Sequence, residues 1–126
     1  AKSIHNVNVH GMVARDRMAD LYRKASLLCC TSIYEGFPNT FLEAWSCGLP
    51  IVSSYDPDDL IQNKKLGIFA KDRAELMSGI QLLLGSSSKW QAMSENAIQY
   101  YNENHALEKA MQRFENLFLE TLGAEK

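Results

Sequence analysis

Residues 32–52 read S-I-Y-E-G-F-P-N-T-F-L-E-A-W-S-C-G-L-P-I-V, and the assignments on either side depend on this stretch. It follows the apolar run Leu27-Leu28-Cys29-Cys30, which has the length and composition of a buried strand. Gly36 and Pro38 then mark a turn. A short helix is expected to open near Thr40 and to close at Gly48, and Pro50 leads into a further strand at Ile51-Val52. The centre of the chain is therefore strand, turn, short helix, strand, with Glu35 on the turn and Glu43 on the helix. In parallel α/β sheets ligands lie beyond the carboxyl ends of the strands, and a helix N-terminus there attracts anions. That placement makes the stretch the candidate site on its residues alone.

The flanks extend the same alternation. His5 to Met12 alternates apolar and polar residues around Val7 and Val9, the pattern of a half-buried strand ending at Gly11. A helix is expected from Asp16, with Met18, Leu21, Tyr22 and Ala25 on its buried face and Arg23 and Lys24 in the last turn, where positive charge suits the helix dipole. Beyond Val52, Pro57 to Gln62 reads as a short helix, Asn63-Lys64-Lys65 as a loop and Leu66 to Ala70 as a strand.

Asp72 and Glu75 have capping-box spacing and open a helix with Leu76, Met77, Ile80, Leu83 and Leu84 on its apolar face, ended by Gly85. Ser88 and Gln91 repeat that spacing before a helix expected to bury Trp90, Met93, Ala97, Ile98 and Tyr101. After a break at Asn102–His105, a last helix carries Leu107, Ala110, Met111, Phe114, Leu117, Phe118 and Leu122 as a packing face. Strand and helix in alternation predict a doubly wound parallel α/β sheet with a helical C-terminus.

Composition narrows the function classes. The 126 residues suffice for one domain, and 46% apolar with 22% charged residues is ordinary for a globular chain. A net charge of −2 argues against a nucleic-acid partner. No apolar run approaches the roughly 20 residues of a membrane span. Cys29, Cys30 and Cys47 lack C-x-x-C spacing. Cys29 and Cys30, adjacent within an apolar run, read as small buried hydrophobes, and the odd count suggests a reducing cytosol.

Two acids carry the candidate chemistry. Glu35 stands just past a strand and before Gly36, which lets a ligand approach the peptide amides, and a carboxylate there can accept hydrogen bonds from vicinal sugar hydroxyls. A solvated loop glutamate is the other reading. Glu43 has an equally good structural reading: with Thr40 as N-cap, T-F-L-E is a capping box. Its functional reading is a ribose contact. The amides of Asn39, Thr40 and Phe41, with the Thr40 hydroxyl, form a candidate anion site at the helix start. Both acids are expected to face one hollow beside those amides. Asp56-Pro57-Asp58 matches D-x-D, a pattern able to hold Mg²⁺, but the start of a helix accounts for the same acids. His5, His10 and His105 are scattered and read as surface or packing residues.

At E-G-F-P-N-T-F-L-E-A-W-S-C-G-L-P-I-V the chain resembles the retaining glycosyltransferases of family 4, the group 1 family, whose signature is two glutamates in an E-x7-E pattern. Glu35 and Glu43 have that spacing. V-N-V-H-G-M, the segment from Met18 to Ser32 and L-G-I-F-A also look like family segments, so the likeness covers nearly the whole chain. The resemblance implies the GT-B fold, two Rossmann-like domains facing across a cleft. Residues 1–126 would be a single partial domain, part of the nucleotide-sugar-binding C-terminal domain without its first strands.

The same resemblance implies that Glu35, the catalytic candidate, contacts the donor sugar, helped by the Gly36 and Phe37 amides beside Pro38. Asn39 and Thr40 would lie near the diphosphate, and Glu43 would bind the ribose. The partners implied are a nucleoside-diphosphate sugar donor and a glycan or lipid-linked acceptor held by an N-terminal domain. Neither a metal nor a cofactor is implied. The intact enzyme would be cytoplasmic, with membrane association only through parts outside this stretch. The Gly-Gly-x-x-Glu segment of many members is here Tyr55 to Asp59, so no donor contact is carried onto it. The family's basic pair for the diphosphate falls upstream of Ala1, so these residues alone are expected to be inactive. A related nucleotide-sugar enzyme such as an epimerase, and a non-catalytic α/β binding module, are the alternatives.

Overall fold

Every strand of the sheet is three residues long and is followed by a helix. In the computed structural model, which describes residues 4–124, the order is α1 (Arg15–Lys24), β1 (Leu28–Cys30), α2 (Asn39–Ser46), β2 (Ile51–Ser53), α3 (Leu60–Lys64), β3 (Gly67–Phe69), α4 (Arg73–Gly85), α5 (Ser87–Asn104) and α6 (Leu107–Ala124). A 3₁₀ turn, Pro57–Asp59, precedes α3. The sheet is parallel with strand order β1-β2-β3, and Leu28, Ile51 and Gly67 share one register level. The chain is thus α/β, a partial Rossmann-like sheet with a helical C-terminus.

Parallel strands need crossovers, and those helices cover both faces. On one face Leu28, Cys30 and Ile51 pack with Tyr22 of α1, Phe41, Ala44 and Trp45 of α2, Ile61 of α3 and Ala97 of α5. On the other, α4 lies so close to Val52 and Ile68 that a Cβ at Gly79 would come within 3.2 Å of both. Gly67 is more constrained still, since a Cβ there would overlap the backbone of Ile51.

Gly48 closes α2 with φ of +67°. Its amide donates to the Trp45 carbonyl and the Leu49 amide donates to that of Ala44, the two bonds of a Schellman motif.

Several expectations fail, each for a physical reason. Residues 5–12 form no strand: β1, the near edge of the sheet, pairs only with β2 among the described residues, and Val9 stays 90% exposed. A strand without a ladder partner leaves its amides and carbonyls to water. Cys29 is exposed rather than buried, because it lies on the α4 face of β1 and α4 covers β2 and β3. Ala25 is exposed as the C-cap of α1. Asn63 and Lys64 belong to α3 rather than to a loop, and Lys65 ends that helix at φ of +54°.

The capping of the later helices also departs in part. Asp72 caps α4 as expected, accepting from the Glu75 amide at 2.8 Å, while the Glu75 carboxylate accepts from the Lys71 amide. The cap of α5 is Ser86, not Ser88. Met77, Leu84 and Ile98 are exposed, and so is the whole apolar stripe of α6. Periodicity identified these helices correctly, but it cannot say which of two apolar faces meets a partner.

Candidate functional site

The site is assembled at the carboxyl end of β1. The chain leaving Cys30 is held to the next strand by Ser54, whose amide donates to the Cys30 carbonyl and whose hydroxyl donates to that of Ser32 at 3.1 Å. Ser32 in turn donates its hydroxyl to Glu35 Oε1 at 2.8 Å. Glu35 is exposed, and it lines a hollow with Thr31, Ser32, Pro38, Asn39 and Thr40. One carboxylate oxygen is thus oriented by the protein, and the other accepts no hydrogen bond among the described residues.

Gly36 has no positive φ, and a Cβ there would meet nothing within 4 Å. The backbone of this turn does not require glycine. What anchors the turn is Phe37, whose ring packs edge-on against Trp45 at 6.4 Å and lies 6.0 Å from the His105 ring. Gly36 and Phe37 do not line the Glu35 hollow; Pro38, Asn39 and Thr40 do.

The start of α2 differs from the expected capping box. The helix begins at Asn39 with Pro38 in the cap position, so Thr40 is not the cap and Glu43 is not its partner. Proline has no side-chain acceptor, and no side chain caps the helix. The Phe41 amide donates to the Pro38 carbonyl at 3.0 Å, which removes it from the candidate anion site. The amides of Asn39 and Thr40 remain, as first-turn donors with no intrahelical acceptor.

Glu43 does not share the Glu35 hollow. It lines a separate one with Arg15, Met18, Tyr22, Ser46 and Cys47, between α1 and α2. Its Oε2 accepts the Tyr22 hydroxyl at 2.9 Å. The expected single hollow is therefore two. They are connected by helix geometry, since Asn39 and Thr40 precede Glu43 by four and three positions and so lie on one face of α2, about 5.4 Å apart along its axis.

Tyr22 was legible only as a core residue. Its ring is 7% exposed, and its hydroxyl pKa is pushed up to about 12, first by burial and then by the bond to and charge of Glu43. An aromatic at a core position gives no sign in the sequence of where its hydroxyl reaches. Ser54 was equally invisible, because the carbonyls it meets follow a different strand, and the Ser32 hydroxyl reaches Glu35 within an irregular turn that no periodicity describes. His105 does serve as a packing residue, against Phe37 and Tyr100.

Asp56 is committed elsewhere. Its carboxylate accepts from the Ile61 amide at 2.7 Å and from the Gln62 amide and side chain, so it caps α3. The acids after β2 thus serve a helix start, with the Asp56 carboxylate as its cap.

The profile of the family described as "Glycosyl transferases group 1" matches residues 1–86. An uncharacterized glycosyltransferase of Haemophilus influenzae is 27% identical over 101 residues, which is 76% of this chain and 28% of that protein. The N,N'-diacetylbacillosaminyl-diphospho-undecaprenol alpha-1,3-N-acetylgalactosaminyltransferase of Campylobacter jejuni is 29% identical over 116 residues, 86% of this chain and 31% of that protein. The chain spans less than a third of the length of these relatives. No solved structure matches it significantly. Among the described residues, no helix is long and apolar enough to cross a membrane.

Proposed function

Because this chain belongs to the group 1 glycosyltransferases, we propose that it is the donor-binding part of an enzyme that moves a sugar from a nucleoside diphosphate to an acceptor with retention of configuration. In this reading residues 1–126 are part of the C-terminal domain of a GT-B enzyme. The observation that carries it is the run along α2: the Glu35 hollow, then the uncapped amides of Asn39 and Thr40, then Glu43 one turn further on the same face. A nucleotide sugar is an extended ligand with hydroxyls at both ends and two phosphates between them, and the three features follow in that order.

Glu35, steadied by Ser32, accepts hydrogen bonds from hydroxyls of the donor sugar and holds its anomeric carbon toward the acceptor. As the bond from that carbon to the diphosphate oxygen breaks, negative charge grows on the phosphate. The Asn39 and Thr40 amides, already aligned by the helix, stabilise that charge without reorganising. Glu43 receives a ribose hydroxyl through the oxygen that Tyr22 does not occupy. The acceptor is a glycan or a lipid-linked saccharide, the latter being the class in the name of the Campylobacter relative.

The test is a calorimetric titration of the full-length protein with UDP-, GDP- and ADP-sugars. One of the three binds, and Glu35→Gln weakens the sugar nucleotide more than the bare nucleoside diphosphate. Absence of binding by all three overturns the reading in favour of a non-catalytic module. Residues 1–126 alone are inactive in this account, so sugar transfer by them in isolation counts against it as well.

A further inference from the structure

The Tyr22–Glu43 pair has a feature that a purely structural bond does not require. Tyr22 belongs to the core cluster, so its ring is fixed by packing on all sides. Glu43 sits at the fifth position of α2, a place where a glutamate is free to extend into water. Instead it is half-buried, and it leans across to α1 to accept the tyrosine hydroxyl at 2.9 Å. Only Oε2 is used. Among the described residues Oε1 has no protein partner, and the carboxylate lines an open hollow with Arg15, Met18, Ser46 and Cys47.

We propose that Tyr22 is a positioning residue that locks the Glu43 carboxylate so that its second oxygen receives a ribose hydroxyl; this rests on the donor-binding reading above. The mechanism is preorganisation. A flexible glutamate loses rotamer freedom when it closes on a ligand, whereas one already held by a rigid donor does not. Tyrosine suits the task because its hydroxyl can donate to the acid without adding a cation that would compete for the second oxygen. It stays protonated at any pH where the protein works, since burial holds its proton well above neutrality. Tyr22 touches no ligand in this account and acts through Glu43.

The experiment uses the full-length protein, with affinities measured for the nucleoside diphosphate it prefers and for the 2′-deoxy and 3′-deoxy forms. The natural protein should lose about 10-fold or more on removal of the hydroxyl that meets Glu43. Tyr22→Phe keeps the ring and the core. It should bind the ribose form about 10-fold more weakly, leave the deoxy form unchanged and so abolish the discrimination. Combined with Glu43→Gln, its effect should be far from additive.

A Tyr22→Phe protein that keeps the natural ribose-to-deoxy ratio overturns the positioning role alone, as does one that weakens both forms equally. A natural protein that binds nucleoside diphosphates without discriminating the deoxy forms overturns the ribose role of Glu43 and this proposal with it. A natural protein that binds no nucleoside diphosphate overturns the donor-binding reading itself.

Discussion

The ring of His105, at the end of α5, lies 6.0 Å from the ring of Phe37, two residues after Glu35. The candidate turn is thereby tied to a helix more than sixty residues away in the chain. Burial lowers the His105 pKa from its ordinary value, and the Arg113 guanidinium lowers it further. The folded chain prefers the neutral imidazole, which also pairs with the Tyr100 hydroxyl at 3.0 Å.

A depressed pKa on a base has a defined sign. The stability it contributes is complete above the unfolded value of about 6.5 and is lost as pH falls through the lower folded value. We therefore expect the thermal midpoint to fall on acidification below pH 6.5, and this slope to shrink in His105→Gln. An identical pH profile in the variant removes His105 as the source.

Tyr22 gives the opposite window. Its folded pKa is about 12 against an ordinary 10, so its contribution is complete below pH 10 and is lost as pH rises from there toward 12. Spectrophotometric titration should show the last tyrosinate to appear missing in Tyr22→Phe, and chemical denaturation should show a shallower alkaline loss of stability. Loss of a tyrosinate that titrates near the ordinary 10, rather than of the last one to appear, contradicts the buried Tyr22–Glu43 pair.

Asp56 separates a cap from a metal ligand. Asp56→Ala leaves the Ile61 and Gln62 amides without their acceptor and should cost about 1–2 kcal/mol of stability. Asp56→Asn retains an acceptor oxygen and should cost less. Addition of Mg²⁺ should shift the denaturation midpoint of neither variant nor parent; a Mg²⁺-dependent rise in the parent alone would restore the D-x-D reading.

Gly48 and Gly36 look alike in the sequence and should behave differently. A Cβ at Gly48 would come within 2.7 Å of the Ile98 side chain and 2.9 Å of Ser94 Oγ, on a left-handed backbone. Gly48→Ala should therefore cost about 2 kcal/mol or more. Gly36→Ala meets open space and should leave stability within about 0.5 kcal/mol. If Gly36 serves close approach of a ligand, the same change weakens sugar-nucleotide binding by the full-length protein while the midpoint holds.

What the sequence disclosed follows from how local each signal is. The strand–turn–helix–strand unit, the Gly48 closure, the Asp72 cap and the segment order of the sheet each rest on residues within a few positions of one another, and each is observed. The Thr40 cap failed because a proline immediately before Asn39 sets the helix start, and that competes with a T-x-x-E pattern of equal local quality. Residues 5–12 alternate like a strand, yet a strand exists only when a neighbour completes its ladder. The site was half legible. Both acids and the helix start could be picked out, but Tyr22 and Ser54 reach their partners across 21 and 22 positions, where no spacing rule applies, while the contacts of Ser32 and His105, 3 and 5 positions long, depend on turn and helix-end geometry that periodicity does not describe.

Helix α6 supplies the last prediction. Its start is pinned by Arg113, which donates to the carbonyls of Asn104 at 3.2 Å and Glu103 at 3.5 Å. Its apolar residues Leu107, Met111, Phe114, Leu117, Phe118 and Leu122 all remain exposed, and the Phe114 and Phe118 rings stack on each other at 6.4 Å. Groups that bury little contribute little through burial, whatever their hydrophobicity. Phe114→Ser with Phe118→Ser should thus leave the thermal midpoint of residues 1–126 within a degree or two, on the order expected for exposed sites. The same change should reduce binding of a hydrophobic dye, because it removes both aromatic rings from an exposed apolar stripe. A drop of several degrees would mean that the stripe is covered when the chain is in solution, and sedimentation of the parent would then show whether a second copy covers it.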